Sequence, residues 1–152
     1  MLLTRREKFI VPAWPPLRRV LQAVLKDHGC QGTLSVALVT DEEIARIHGE
    51  YLGDERPTDV ISFPLLAKGV ELPHEERLPP AERMFGEIVV SGETALREAK
   101  KRGLNPEREL ALYAIHGTLH LVGFDDLESL EKRRMRRAEK KYLAVYDGAA
   151  SA

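Results

Sequence analysis

The segment from Leu110 to Val122 constrains the fold most strongly, because nearly every residue in it except two histidines and Thr118 is apolar or small. A helix of this composition is buried over most of its circumference, so other elements must surround it. Asn105 is a good N-cap, Pro106 suits the first helical position, and acidic residues follow near the positive helix end. The sequence therefore predicts a buried helix that begins well before the histidines.

The two histidines of this helix, His116 and His120, are spaced one helical turn apart. This spacing places both rings on one face, where their nitrogens can converge on a single metal ion. Gly123 can end the helix and turn the chain, and a carboxylate from Asp125 or Asp126 could then reach the same ion. Two imidazoles and one carboxylate are a donor set typical of metal-dependent hydrolases.

Each part of this pattern also has a purely structural interpretation. The histidines could be core residues that donate to backbone carbonyls. Asp125 stands three residues before Glu128, as in a capping box, so one aspartate could cap the next helix while the other binds the ion. Gly117 occupies the position at which metalloproteases of the His-Glu-x-x-His type carry their general base, which argues against peptide hydrolysis by that mechanism.

Three ordered sequence blocks resemble the bacterial YbeY-type endoribonucleases, also called rRNA maturation factors. They are HGTLHLVGFDD at residues 116–126, PTDVISFP at residues 57–64 with Tyr51 before it, and GEIVV at residues 86–90. Met135 and Glu139 also fall where the last helix of the family carries Met and Glu, so the resemblance extends from about Leu34 to Leu143.

The resemblance implies a metal-dependent, single-strand-specific endoribonuclease that acts in rRNA processing and ribosome quality control. Its partners would be an rRNA precursor and the ribosome or small-subunit proteins. One divalent ion per chain, with zinc as the first candidate, would be held by His116, His120 and Asp126. The family usually has His as its third ligand, and the oxygen ligand Asp126 would also admit manganese, iron, cobalt or nickel.

Further candidate site residues lie on both sides of these ligands in the sequence. The family carries an Arg directly after the tyrosine of its second block, where this chain has Leu52, and Arg56 is the candidate that could offer a cation to a phosphate instead. In the alternative interpretation, Arg56 is a solvated loop residue. Asp125 is a candidate partner of a ligand, or an alternative ligand.

A cluster of cations follows the metal motif on the last predicted helix. Because the net charge of the chain is −1, any binding of RNA must depend on such a local concentration of positive charge. The alternative is a solvated helix face paired with neighbouring glutamates. The candidates for contact with RNA phosphates are Arg133, Arg134, Arg136 and Arg137.

The remaining sequence alternates helical and strand patterns. Thr40 and Ser91 are predicted helix caps, Gly103 a helix breaker, and strands are predicted at residues 34–38, 59–65 and 84–91. We therefore predict an α/β (α+β) fold of three layers. A small mixed sheet of three to four strands is covered by about five helices, with the metal site on a buried helix and the turn after it.

Length and composition predict one domain over residues 1–147, followed by a frayed tail at 148–152. No run of about 18 apolar residues could span a membrane, and charges interrupt the N-terminal residues where a signal peptide would be apolar. The single cysteine, Cys30, suits a reducing compartment. We expect a cytoplasmic protein without a membrane partner, and, since no glycine-rich phosphate loop is present, without a nucleotide cofactor.

The leading hypothesis is thus an endoribonuclease in which metal-bound water or hydroxide drives phosphodiester cleavage, with His116 and His120 acting through the metal. Two other functions remain open. The protein could be a ribosome-associated assembly factor with a structural metal and little catalysis. It could also be a metallohydrolase of another small substrate, because a site of two histidines and one carboxylate is not diagnostic of substrate.

Overall fold

The computed structural model describes residues 2–4, 13–53, 58–64, 79 and 83–151. These residues form one four-stranded sheet and five helices, which confirms the predicted fold class. In chain order the elements are β1 (Leu2–Thr4), α1 (Trp14–Asp27), β2 (Thr33–Val39), α2 (Asp41–Leu52), β3 (Val60–Pro64), β4 (Met84–Ser91), α3 (Gly92–Arg102), α4 (Pro106–Leu121) and α5 (Ser129–Ala150).

The sheet is mixed, as predicted, and its strand order is β1-β2-β4-β3. Strands β1, β2 and β4 are parallel, whereas β3 runs antiparallel to β4, with Ile61 opposite Val89. The prediction of three to four strands allowed for a fourth strand, which is present as β1. Strand β3 ends the described order on the other side, so it is an edge strand of the described sheet.

Helices pack on both faces of the sheet, which gives the three predicted layers. Alternate residues of the strands, such as Val36 and Ile88, belong to a large core shared with α1, α4 and α5. The residues between them, such as Ile61 and Val89, form a smaller core with Ile44 of α2. Helix α2 therefore lies on the opposite face from α4.

Three helix starts follow the predicted capping pattern. The Thr40 hydroxyl accepts the backbone N–H of Glu43 at 3.2 Å, and the Ser91 hydroxyl accepts that of Thr94 at 3.1 Å. At the start of α4, the Asn105 side chain accepts two backbone N–H groups and Pro106 follows it. These side chains satisfy backbone donors that have no partner inside the helix, so the boundaries could be predicted locally.

The start and end of α5 differ from the sequence predictions. The N-cap is Glu128, which makes no side-chain capping bond, while the Asp125 carboxylate accepts the backbone N–H of its neighbour Asp126 at 2.8 Å. The interpretation of Asp125 as a cap of this helix was wrong. The predicted frayed tail was also wrong for residues 148–150, because α5 continues to Ala150 and its face carries the buried Tyr146.

Other sequence predictions fall partly or wholly outside the described residues. Leu65, predicted to end the strand at residues 59–65, is one example. Within the described part of the chain, no helix combines the length and the apolar character needed to cross a membrane.

A group of hydrogen bonds joins the start of α2 to the start of α3. The Asp41 carboxylate accepts hydrogen bonds from the hydroxyls of Ser91 and Thr94, each at 2.6 Å, and from the guanidinium of Arg97. The backbone N–H of Asp41 donates to Glu93 at 3.0 Å. Partial burial by itself raises the pKa of the Asp41 carboxyl, but these three donors outweigh it, so its pKa lies below the ordinary value.

We expect Asp41→Asn to lower the free energy of unfolding at pH 7 by about 1 kcal/mol, because a neutral amide accepts these hydrogen bonds more weakly. The folded-state pKa of Asp41 is lowered, so its contribution is present at neutral pH and is lost as the pH falls below about 4. Urea unfolding at several pH values should show the two proteins converging in acid. A difference that does not change with pH would contradict this account.

Helix α4 approaches the sheet most closely at Gly117. A Cβ atom added there would lie 2.7 Å from Val60 Cγ2, 3.1 Å from Ser62 Oγ and 3.2 Å from Ile88 Cγ2. The Ser62 hydroxyl also donates to the Gly117 carbonyl at 2.8 Å, which ties the helix to the edge strand. The glycine between the two histidines is thus required by packing against β3 and β4.

We expect Gly117→Ala to lower the free energy of unfolding by about 1–2 kcal/mol, because overpacking outweighs the better helix propensity of alanine. Gly148→Ala is the matched control, since nothing lies within 4 Å of a Cβ at that helical position. The control should be neutral or slightly stabilising in the same urea titration. Equal stability of Gly117→Ala and the unmodified protein would show that α4 can move away from the sheet.

Candidate metal centre

The two histidines of α4 face each other near the end of the helix. His116 Nε2 and His120 Nε2 are 3.0 Å apart, and the rings meet edge to face with centroids 4.6 Å apart. Both side chains are partly accessible, with 26% and 31% of their surface exposed. Solvent or a ligand can therefore reach α4 at this part of its surface, although most of the helix is buried.

Asp126 reaches the histidines from the turn that follows α4. Gly123 has a φ of +109°, a conformation that side-chain-bearing residues rarely adopt, and Phe124 behind it packs against the core. This turn places Asp126 Oδ2 3.5 Å from His116 Nε2 and 3.7 Å from His120 Nε2. Asp125 is not part of this group, and its bond to the Asp126 backbone shapes the turn instead.

The spacing of the three candidate ligand atoms suits one metal ion. A triangle with sides of 3.0, 3.5 and 3.7 Å contains a point about 2.0 Å from each corner, within the range of zinc bonds to histidine nitrogen and carboxylate oxygen. Tetrahedral coordination at such bond lengths separates ligand atoms by about 3.4 Å, close to these distances. His116, His120 and Asp126 could therefore hold one metal ion.

Glu139 of α5 completes the surroundings of His116. Its Oε1 atom accepts a hydrogen bond of 2.6 Å from His116 Nδ1. The Nε2 atom of the neutral ring then carries the lone pair, on the side that faces His120 and Asp126. This hydrogen bond is the main reason that the pKa of His116 is raised, and the charges of Glu139 and Asp126 add to it against the effect of burial. Fixing a metal-binding imidazole in this way is the usual role of such a carboxylate.

The sequence assigned no role to Glu139, although one signal was present. It lies on the face of α5 that also carries the buried Met135 and Tyr142, where a carboxylate needs a partner. The partner is a histidine of α4 because of how the two helices pack, and the residue spacing along α5 does not predict that packing.

A pocket of about 400 Å³ opens beside the two histidines. Its walls come from the end of α4, from β3 with the residues just before it, and from His48 of α2. Thr58 and Ser62, which belong to the family-like block of the sequence, line it, as does Asp59. His48 was not identified from the sequence, because nothing in the spacing of α2 relates it to α4.

The other candidate residues are not gathered at this centre. Arg56 lies outside the described residues. All four candidate arginines of α5 are exposed, and because successive helical residues are about 100° apart around the axis, the four fall within an arc of about 160° on the side of α5 opposite the buried Met135. Arg136 stands three residues before Glu139, on an adjacent part of the helix surface, whereas Arg134 lines a separate concavity with Phe124 and Asp125.

Comparison with known proteins identifies the relatives of this chain. The family model described as endoribonuclease YbeY matches residues 14–147. Proteins named endoribonuclease YbeY include one from Moorella thermoacetica, 41% identical over 130 residues (84% of this chain and 83% of that protein). Another is from Bacillus velezensis, 36% identical over 135 residues (86% and 83%).

A solved structure shows the same fold. The solution structure of TM1509 from Thermotoga maritima is similar with a TM-score of 0.65 and 27% sequence identity, and the similarity covers 97% of this chain and 89% of that one. The family match covers both histidines, Asp126 and Glu139. The chain therefore belongs to the endoribonuclease YbeY family.

Proposed function

We propose that this protein is a metal-dependent endoribonuclease that cleaves single-stranded RNA during rRNA maturation and ribosome quality control. The observation that carries the proposal is the centre formed by His116, His120 and Asp126, oriented by Glu139 and open to a pocket. The relatives named as endoribonucleases supply the substrate class.

The protein's own side chains account for several requirements of such a reaction. His116 and His120 offer imidazole nitrogens, Asp126 offers an oxygen, and the partial exposure of all three leaves room for a phosphodiester to approach. A divalent ion bound there would activate a nucleophile near neutral pH and polarise a phosphate oxygen. A dedicated serine or cysteine nucleophile is therefore not needed.

We propose zinc as the resident ion, because two imidazoles and one carboxylate suit it and the three atoms are spaced for its bond lengths. Because Asp126 contributes a carboxylate oxygen, the same site could also bind manganese, iron, cobalt or nickel.

The RNA would reach this centre with the help of local positive charge, since the chain as a whole carries a charge of −1. On α5 we propose Arg136 as the first phosphate contact, because it stands beside Glu139, with Arg133, Arg134 and Arg137 contributing a weaker field from the exposed helix surface. Arg56 remains the candidate cation from the second sequence block. An rRNA precursor, the ribosome or its small-subunit proteins, and a cytoplasmic location complete the proposal.

We expect Asp126→Ala to lose the metal and to cleave single-stranded RNA at a rate reduced by about 100-fold or more, because two ligands hold the ion far more weakly than three. Asp125→Asn is the matched control, since it removes the neighbouring negative charge outside the three-residue group while its amide oxygen can still accept the Asp126 backbone N–H. Metal per chain should be measured by plasma mass spectrometry on untagged protein, and cleavage by gel electrophoresis.

Metal retained in Asp126→Ala would place the third ligand elsewhere. A full complement of metal in the unmodified protein without cleavage of any RNA would contradict the proposed activity and favour an assembly factor with a structural ion. In that case His120→Ala should chiefly lower the melting temperature.

We expect Glu139→Ala to weaken metal affinity by about 10- to 100-fold, because His116 loses the acceptor that fixes its ring. The metal affinity of Glu139→Gln, whose amide oxygen can still accept from Nδ1, should lie between those of the unmodified protein and Glu139→Ala. Competition with a chromogenic chelator gives the affinity directly. Glu131→Ala removes another glutamate of the same helix and should leave the metal affinity unchanged. An equal loss of affinity in both alanine variants would show a general effect of charge on α5.

A further inference from the structure

His48 lies on the last turn of α2 and lines the pocket that contains the two metal-binding histidines. Helix α2 packs on the opposite face of the sheet from α4, through Ile44 one turn earlier. Both helices contact the edge strand β3, which also lines the pocket. Elements from both faces of the sheet therefore bring three imidazoles to one cavity.

The metal centre accounts for two of these imidazoles but not for the third. His48 is not part of the group of ligand atoms formed by His116, His120 and Asp126 among the described residues. Phosphodiester cleavage has a second requirement besides an activated nucleophile, because the departing alkoxide is a poor leaving group unless it receives a proton.

Few side chains on the described walls of the pocket could supply that proton. The Ser62 hydroxyl already donates to the Gly117 carbonyl. At pH 7 roughly a quarter of ordinary imidazole side chains carry a proton, whereas fewer than about one in a thousand ordinary aspartate side chains do. Imidazole is in general the better proton donor at neutral pH, so His48 is the candidate on these walls outside the proposed metal centre.

We propose that His48 is a catalytic residue that donates a proton to the leaving oxygen during phosphodiester cleavage. The step rests on the proposed endoribonuclease function. The nucleophilic oxygen, from water or from the RNA's own 2′-hydroxyl, gives up its proton to solvent and forms a bond to phosphorus while the bond from phosphorus to the leaving oxygen breaks. The leaving oxygen takes the proton from the His48 ring and departs as an alcohol, and the ring regains a proton from solvent.

The test compares two single-stranded RNA substrates under single-turnover conditions. One is ordinary RNA, and in the other the leaving oxygen is replaced by sulphur, with its position chosen from the end groups of the wild-type products. We expect His48→Ala and His48→Gln to cleave ordinary RNA about 100-fold more slowly than the wild-type protein. Both should cleave the sulphur substrate at close to the wild-type rate, because a thiolate leaves without a proton.

Metal content and melting temperature are measured on the same preparations, and both should be unchanged in the His48 variants. Glu50→Ala is the matched control, because it lies on the same turn of α2 but lines a different concavity of the surface. It should behave as wild type on both substrates.

Three results would overturn the role of His48 and leave the proposed function intact. They are an unchanged rate on ordinary RNA in His48→Ala, an equal loss on both substrates, and loss of the metal from the variant, which would make His48 a ligand. Absence of cleavage by the wild-type protein would instead overturn the proposed function, and this inference with it.

Discussion

The close approach of α4 to the sheet is the constraint on which the rest of the described structure depends. Gly117 leaves no room for a side chain between the helix and strands β3 and β4, so the depth of α4 relative to the edge strand is fixed by contact. Helices α1, α3 and α5 pack around its remaining sides. The positions of His116 and His120 follow from this packing, because the two residues flank the contact within one helical turn.

Because α4 is largely buried, its polar groups need hydrogen-bond partners within the protein. The Thr118 hydroxyl donates to the Ala114 carbonyl within the helix, and the buried Glu109 pairs with Arg102 of α3. A buried polar group without such a partner would cost about 1–3 kcal/mol. The histidines meet the same requirement with Glu139, Asp126 and each other, and this arrangement gives the centre its metal-binding geometry.

Local signals predicted much of the fold. The caps at Thr40, Ser91 and Asn105 and the left-handed glycine at Gly103 are set by hydrogen bonds within a few residues, so they could be predicted from the sequence. Alternation of apolar residues likewise predicted β2. The same reasoning failed at Asp125, where the capping pattern with Glu128 was correct in spacing, yet the turn directs the carboxylate to the Asp126 backbone instead.

The class of fold, the buried helix and the pair of histidines one turn apart can be predicted from the amino-acid sequence, because each depends on spacing along a single element. Tertiary packing brings Asp126 within 3.7 Å of both histidines, directs Glu139 of α5 to His116, and places His48 of α2 in their pocket. The physical reason is that these groups lie on different elements. Their distances are fixed by the turn at Gly123 and by how α5 and the edge strand pack around α4, and no local preference encodes them.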